Sequence, residues 1–200
     1  MSKKNILLGL ALVLFSACST SVPIVTKYKI SSNINMSEYN KSSCKSKNVK
    51  VSSAFTTSSL MSKDMSYVQG DTKVYEYSES AWLNNPNRSV SRELVKMLRE
   101  INIYKSVQES KSRSKSDIVI ESSLEEFMQY YTDDLQESYV IVQISFTIVD
   151  SITNKVLTAK TFKSKIKTKT LDASGGVEAL NIALKNVLED SSAWFIEGCK

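Results

Sequence analysis

The sequence predicts an α+β fold: a mainly antiparallel β-sheet with two amphipathic helices packed against it. Two observations carry this. From Tyr139 to Asp150, Val140, Val142, Ile144, Phe146 and Ile148 alternate with Gln143, Ser145 and Thr147. That is the period of a strand with one dry face and one wetter face. Two other stretches repeat at the helical period. Val90, Leu94, Met97, Leu98 and Ile101 form one stripe. Val177, Leu180, Ala183, Leu184, Val187, Leu188, Ser191, Trp194 and Phe195 form a broader one. Such stripes need a partner, and the apolar face of the sheet is the obvious one.

The first element is a processing signal. Met1-Ser2-Lys3-Lys4-Asn5 is a short positive head, and Ile6 to Phe15 is an apolar run of ten residues. That is about half of what a membrane-spanning helix needs. A charged head, a short apolar middle and a small-residue end describe an export signal. Phe15-Ser16-Ala17-Cys18 resembles a bacterial lipobox, with Phe15 where Leu is most frequent. The resemblance implies cleavage before Cys18 and acylation of its thiol and new amine. The alternative is a plain export signal or an uncleaved anchor with a chance cysteine. Ser19, rather than Asp, follows the cysteine, which implies sorting to the outer membrane, periplasmic face. The expected organisation is a lipoprotein signal peptide over 1–17, a lipidated tether over 18–26 and a single α+β periplasmic domain over 27–200.

A first strand is expected near Tyr28 to Ile34, then a Ser/Asn/Lys-rich loop over 35–48. Val49, Val51, Ser53 and Phe55 alternate as a half-buried strand. Gly70-Asp71 marks the turn of a hairpin from about residue 65 to 79. The first helix is expected over Ser89–Asn102, with Ser89 as N-cap. A polar loop, residues 109–117, leads to a strand over Asp117–Tyr131 with Ile118, Ile120, Leu124 and Met128 on one face. The Tyr139–Asp150 strand follows, then a turn over Ser151–Lys155. A long strand over Val156–Lys169 has Phe162 and Ile166 inward and Lys163, Lys165, Lys167 and Lys169 on its other face. The second helix is expected over Ser174–Ile196.

Composition narrows the chemistry. The formal charge is +5. It falls to about +3 when Lys3 and Lys4 leave with the signal, too mild to argue for nucleic acid. The chain has no histidine, which removes His-based triads, His metal sites and imidazole acid–base chemistry. Neither a cofactor nor a metal site is expected. Cys44 and Cys199 are left as an even pair in an oxidising compartment, and a disulfide between them is expected; two thiols that never meet is the alternative. The Lys163/Lys165/Lys167/Lys169 row reads as a guard against edge-to-edge aggregation or, more sharply, as a contact for acidic headgroups or an acidic partner.

The order of elements, with Tyr75 and Tyr77 before Trp82, Pro86 after it, and a Leu94/Leu98 helix followed by Tyr104 and Val107, resembles the ABC-type transport auxiliary lipoproteins, the PqiC-like family. The resemblance covers most of residues 27–196 and rests on soft spacing patterns. It implies a non-enzymatic docking lipoprotein. The implied partners are an MCE-domain protein and inner-membrane ABC transporter components that move lipid between membranes. The membrane is engaged through the N-terminal lipid, and homo-oligomerisation is left open.

Two rival readings of the sequence are an enzyme and a different envelope lipoprotein. A Ser-Lys hydrolase would need a special SxxK. Ser42/Lys45, Ser112/Lys115 and Ser164/Lys167 are no more than chance supplies in a chain with 34 serines and 22 lysines. The pairs Glu125/Glu126 and Asp133/Asp134 are neighbours that strand alternation would point to opposite faces. The other rival is the lipoprotein of lipopolysaccharide assembly, or another envelope-binding lipoprotein. A basic strand would suit its phosphates, but its first helix usually comes sooner after the cysteine.

Overall fold

The computed structural model describes residues 23–39 and 43–198. Eight strands and two helices follow in order: β1 Thr26–Tyr28, β2 Asn48–Val51, β3 Asp64–Gln69, β4 Lys73–Trp82, α1 Pro86–Ile101, β5 Ser106–Glu109, β6 Ile118–Tyr131, β7 Ser138–Asp150, β8 Val156–Lys167 and α2 Ala173–Glu197. Short 3-10 turns occupy Ser43–Ser46 and Ser58–Met61.

The α+β class holds, with both helices on the sheet, but the sheet is mixed. β3–β4, β6–β7 and β7–β8 are antiparallel. β1–β4, β2–β5, β2–β6 and β3–β6 are parallel. The long β6 explains this. One edge takes β7 along its whole length, and the other is shared by β2 at Ile118–Ile120 and β3 at Gln129–Tyr131. The connection from β2 to β5 runs through α1, and a crossover of that kind returns a strand in parallel. Asp117 fixes the junction: its Oδ2 accepts from Asn48 N at 2.7 Å, while Asn48 Oδ1 accepts from Ser106 Oγ at 2.8 Å. The bond from the Asn48 N–H, first among the causes, holds the Asp117 carboxyl below its usual pKa range.

The expected first strand is shorter and earlier. After β1 the chain leaves the sheet and straps across both helices. Ser32 N donates to Glu93 of α1 at 2.9 Å, and Ser31 N to Asn181 of α2 at 2.9 Å. Ile30 and Ile34 are buried beneath this strap. The strand expected through Phe55 ends at Val51. Phe55 itself is 59% exposed, keeping only an isolated bridge to Ser123. α1 starts at Pro86, one turn before the expected Ser89, because proline's fixed φ and missing N–H suit a first helical position. It stops at Asn102, in the left-handed conformation at φ 52°, which Asn tolerates.

β6 departs from strict alternation. Ile118, Ile120, Ser122 and Leu124 are buried, then Glu125 is exposed and Phe127, Gln129 and Tyr131 are buried. The pairing with β7 skips at Leu124/Glu126. A β-bulge at Glu125 inserts one residue and reverses the phase. Met128, expected inward, therefore lies on the outer face, and Phe127 enters the core against Trp82 with ring centroids 5.7 Å apart. The same bulge turns Glu125 and Glu126 to one face instead of two.

The core lies between the sheet and the helices. Both predicted helix stripes face it, with Leu94, Met97, Leu98, Ile101, Ala183, Leu184, Val187, Leu188 and Phe195 at 0% exposure. Each of these side chains other than Ala183 stabilises by roughly 1.5–3 kcal/mol. Among the described residues, no helix is long and apolar enough to cross a membrane.

Candidate docking surface

With both helices on one face of β6–β7–β8, the other face of this antiparallel segment is open. The buried set of β7 points to the helices, so Tyr139, Ile141, Gln143, Ser145 and Thr147 point outward at intermediate exposure. β8 pairs only with β7 and forms the sheet's edge.

Lys163, Lys165 and Lys167 stand exposed on β8, as alternation predicts. Across the ladder Lys163 faces Gln143, Lys165 faces Ile141 and Lys167 faces Tyr139. Their engagements differ. Lys165 Nζ sits 3.6 Å from the centroid of the Tyr139 ring, which stacks on Tyr130 at 5.3 Å. Lys167 pairs with Glu137 at 2.9 Å. Lys163 forms no ion pair among the described residues. Lys169 does not join the row: it lies beyond the end of β8 and pairs with Glu178 of α2. The ion pairs are solvent-exposed and contribute at most about 1 kcal/mol each.

The opposite margin of this face is acidic. Glu125 accepts from Gln143 Nε2 and Ser145 Oγ. Ser145 also hydrogen-bonds Thr161 on β8 at 2.6 Å. Glu126 accepts from Tyr130 Oη at 2.7 Å; burial and that bond push the Tyr130 phenol well above its usual pKa. The face is thus charge-segregated, with carboxylates on β6, a polar and aromatic middle on β7, and lysines on β8. Such a dipolar surface orients a partner more than it binds tightly.

A second polar assembly was not anticipated from sequence. Gln129 is 3% exposed. Its Nε2 donates to Tyr131 Oη at 3.0 Å and Ser138 Oγ at 2.8 Å, and its Oε1 accepts from Tyr77 Oη at 3.0 Å. Tyr77 and Tyr131 hydroxyls meet at 2.7 Å. Burial, then this bond, raises the Tyr77 phenol far above its ordinary value, so it serves as a neutral structural bond. Gly176 of α2 packs directly on the Gln129 amide, where a Cβ would collide with it. The network joins the hairpin, β6 and α2, and its satisfied bonds suit positioning. The only sequence sign is a glutamine at a core position of β6, visible once the bulge is known.

Cys44 is buried in the first 3-10 turn. Cys18 and Cys199 lie outside the described residues, and with them the expected lipidation site and the second half of the expected bridge. Among the described residues no His/Cys/Asp/Glu group is arranged to hold a metal ion.

No protein-family model matches the sequence, and no curated protein sequence does. The fold has solved counterparts. It is similar to the crystal structure of protein XCC0632 from Xanthomonas campestris, which carries the family label DUF330. The TM-score is 0.75 at 13% identity, over 86% of this chain and 96% of that one. The crystal structure of an uncharacterized protein matches with a TM-score of 0.65 at 10% identity, over 86% of this chain and 99% of that one. At these identities the likeness is one of fold.

Proposed function

We propose that this protein is a lipid-anchored envelope lipoprotein that acts by docking rather than by catalysis, as an auxiliary component of an ABC/MCE-type lipid transport or envelope-maintenance system. In this reading Cys18 carries the lipid, and the domain faces the periplasm from the outer membrane. The outer face of β6–β7–β8 receives a partner. Three things support it. The N-terminal residues resemble a lipobox. The fold is that of the DUF330-labelled protein over nearly its whole length. The sheet leaves a charge-segregated face uncovered.

The observation that carries the reading is the separation of two of the sheet's three terminal strands: β1, where the tether joins the domain, and β8 with its lysines, β5 being the third. The path β1-β4-β3-β6-β7-β8 spans five strand spacings, roughly 24 Å. A lysine edge remote from the tether favours a partner reached across the periplasm over the membrane that holds the lipid. Association through such a face gains rate and orientation from charge and weakens with salt.

The test is capture of envelope components by the tagged full-length chain from mild detergent, with partners identified by mass. The parent should retain an MCE-type protein or ABC transporter component. K163S/K165S/K167S should fold normally and retain less, the deficit growing at low salt. Equal capture by parent and variant across salt would remove the lysine edge from the account.

A further inference from the structure

Between α1 and the sheet's β2–β5 wing lies a cleft of roughly 340 Å³. It opens beyond the carboxyl ends of two parallel strands, β2 and β5, and is closed on the third side by the first turns of α1. Crevices at the carboxyl ends of parallel strands are where open α/β sheets receive ligands. Arg88 and Arg92 from α1 and Lys111 from the turn after β5 line it. Among the described residues none of the three forms an ion pair. Arg88 and Arg92 are spaced i,i+4, so their guanidinium groups are neighbours on one helix face. Like charges at this spacing destabilise a helix, a cost that an anion bound between them would offset.

The rest of the lining is chemically selective. Ser52, Ser53 and Ser110 share the lining. Glu109 shares the lining. Its carboxylate disfavours a bare multivalent anion and suits the hydroxyl or ammonium substituent of an ester. Guanidinium forks match phosphate oxygens in pairs.

The geometry points to a binding site for a phosphate ester in this cleft, with Arg88 and Arg92 holding the phosphate, Lys111 adding a donor, and Glu109 facing the substituent. The phosphate can belong to a lipid headgroup or to a free small molecule. The site is independent of the docking face, and its test does not depend on partner capture.

The experiment is a titration of the ¹⁵N-labelled full mature chain in neutral detergent, at constant ionic strength. The probes are inorganic phosphate and glycerol 3-phosphate, with chloride as reference. Saturable amide shifts are expected at Ser52, Ser53 and Ser110. R88S/R92S, both at exposed positions, should weaken the affinity at least tenfold, while K163S/K165S should change it less than twofold. Tighter glycerol 3-phosphate than inorganic phosphate supports the ester, and equal affinity for the two overturns its selection by Glu109. In a further arm, vesicles containing phosphatidylglycerol are the probe. Tighter binding than glycerol 3-phosphate marks a lipid headgroup, and no gain marks a free small molecule. Absence of saturable shifts with both probes overturns the site, and so does unchanged affinity in a folded R88S/R92S. Should that variant misfold, K111S on the opposite wall is read instead. A threefold or greater loss supports the site and no loss overturns it.

Discussion

Asp172 shows how much one residue organises. Its carboxylate accepts from Gly175 N at 2.7 Å and Thr170 Oγ1 at 2.8 Å, capping α2. Those bonds, the backbone one first, hold the carboxyl below its usual pKa range. A depressed carboxylate adds stability that is complete above the ordinary value near pH 4 and drains away as pH falls through the lower folded value. Asp172→Ala should therefore cost about 0.5–1 kcal/mol at neutral pH, the lower part of the N-cap range because the group is solvated. Asp172→Asn should recover most of this and flatten the acid limb. Denaturant melts of the three chains between about pH 2 and pH 7 check it. A penalty that persists unchanged at the acid end would show that the charge plays no part.

At the scale of elements, the bulge in β6 makes the sharpest claim. Phe127 is 2% exposed and Met128 is half-buried on the outer face. Phe127→Ala should cost about 3–5 kcal/mol and Met128→Ala under about 1 kcal/mol. Uninterrupted alternation from Ile118 would assign the two costs the other way round, so chemical denaturation of both variants decides. The contrast also explains what could be read in advance. β7 and both helix stripes were legible because a single period runs through each from end to end, and every named apolar position in them except the half-buried Trp194 is buried. The phase of β6 was not, because one inserted residue carries no local mark. The strap at Ile30–Ile34 was mistaken for strand because its partners, Glu93 and Asn181, are helix side chains far along the chain. Of the candidate site, Lys163, Lys165 and Lys167 were placed correctly on an exposed strand, and Lys169 was lost to α2. Arg88 and Arg92 carry no mark of a site in the sequence, because the walls of their cleft come from β2 and β5, which only the parallel pairing brings together.

For the whole molecule, the distance between β1 and β8 and the neighbours of Gly198 set the geometry. The eight residues from Cys18 to Thr26 reach at most roughly 28 Å, so a lipid at Cys18 would keep β1 near the membrane. At the other terminus, Gly198 sits against the end of β7, where an added Cβ would meet Ile148 Cδ1 at 3.9 Å. Lys47, beside the first 3-10 turn, bears on Asp150 at that same end of β7. Lys47 and Gly198 thus both lie by this end of β7, and a bridge between Cys44 and Cys199 is expected. It would close a loop of about 155 residues and add on the order of 5 kcal/mol in the chain-entropy model, less any strain. Non-reducing peptide mapping should find the linked pair, and quantitative alkylation of both thiols without reductant would refute it. The most direct test of the docking account is site-specific photocrosslinking in cells, with the reactive residue at Lys163 of β8 and, as reference, at Asp190 of α2. The account predicts a defined adduct from Lys163 containing an MCE-domain protein or an ABC transporter component, and none from Asp190. Adducts from Asp190 alone, with Lys163 uncrosslinked, would contradict it.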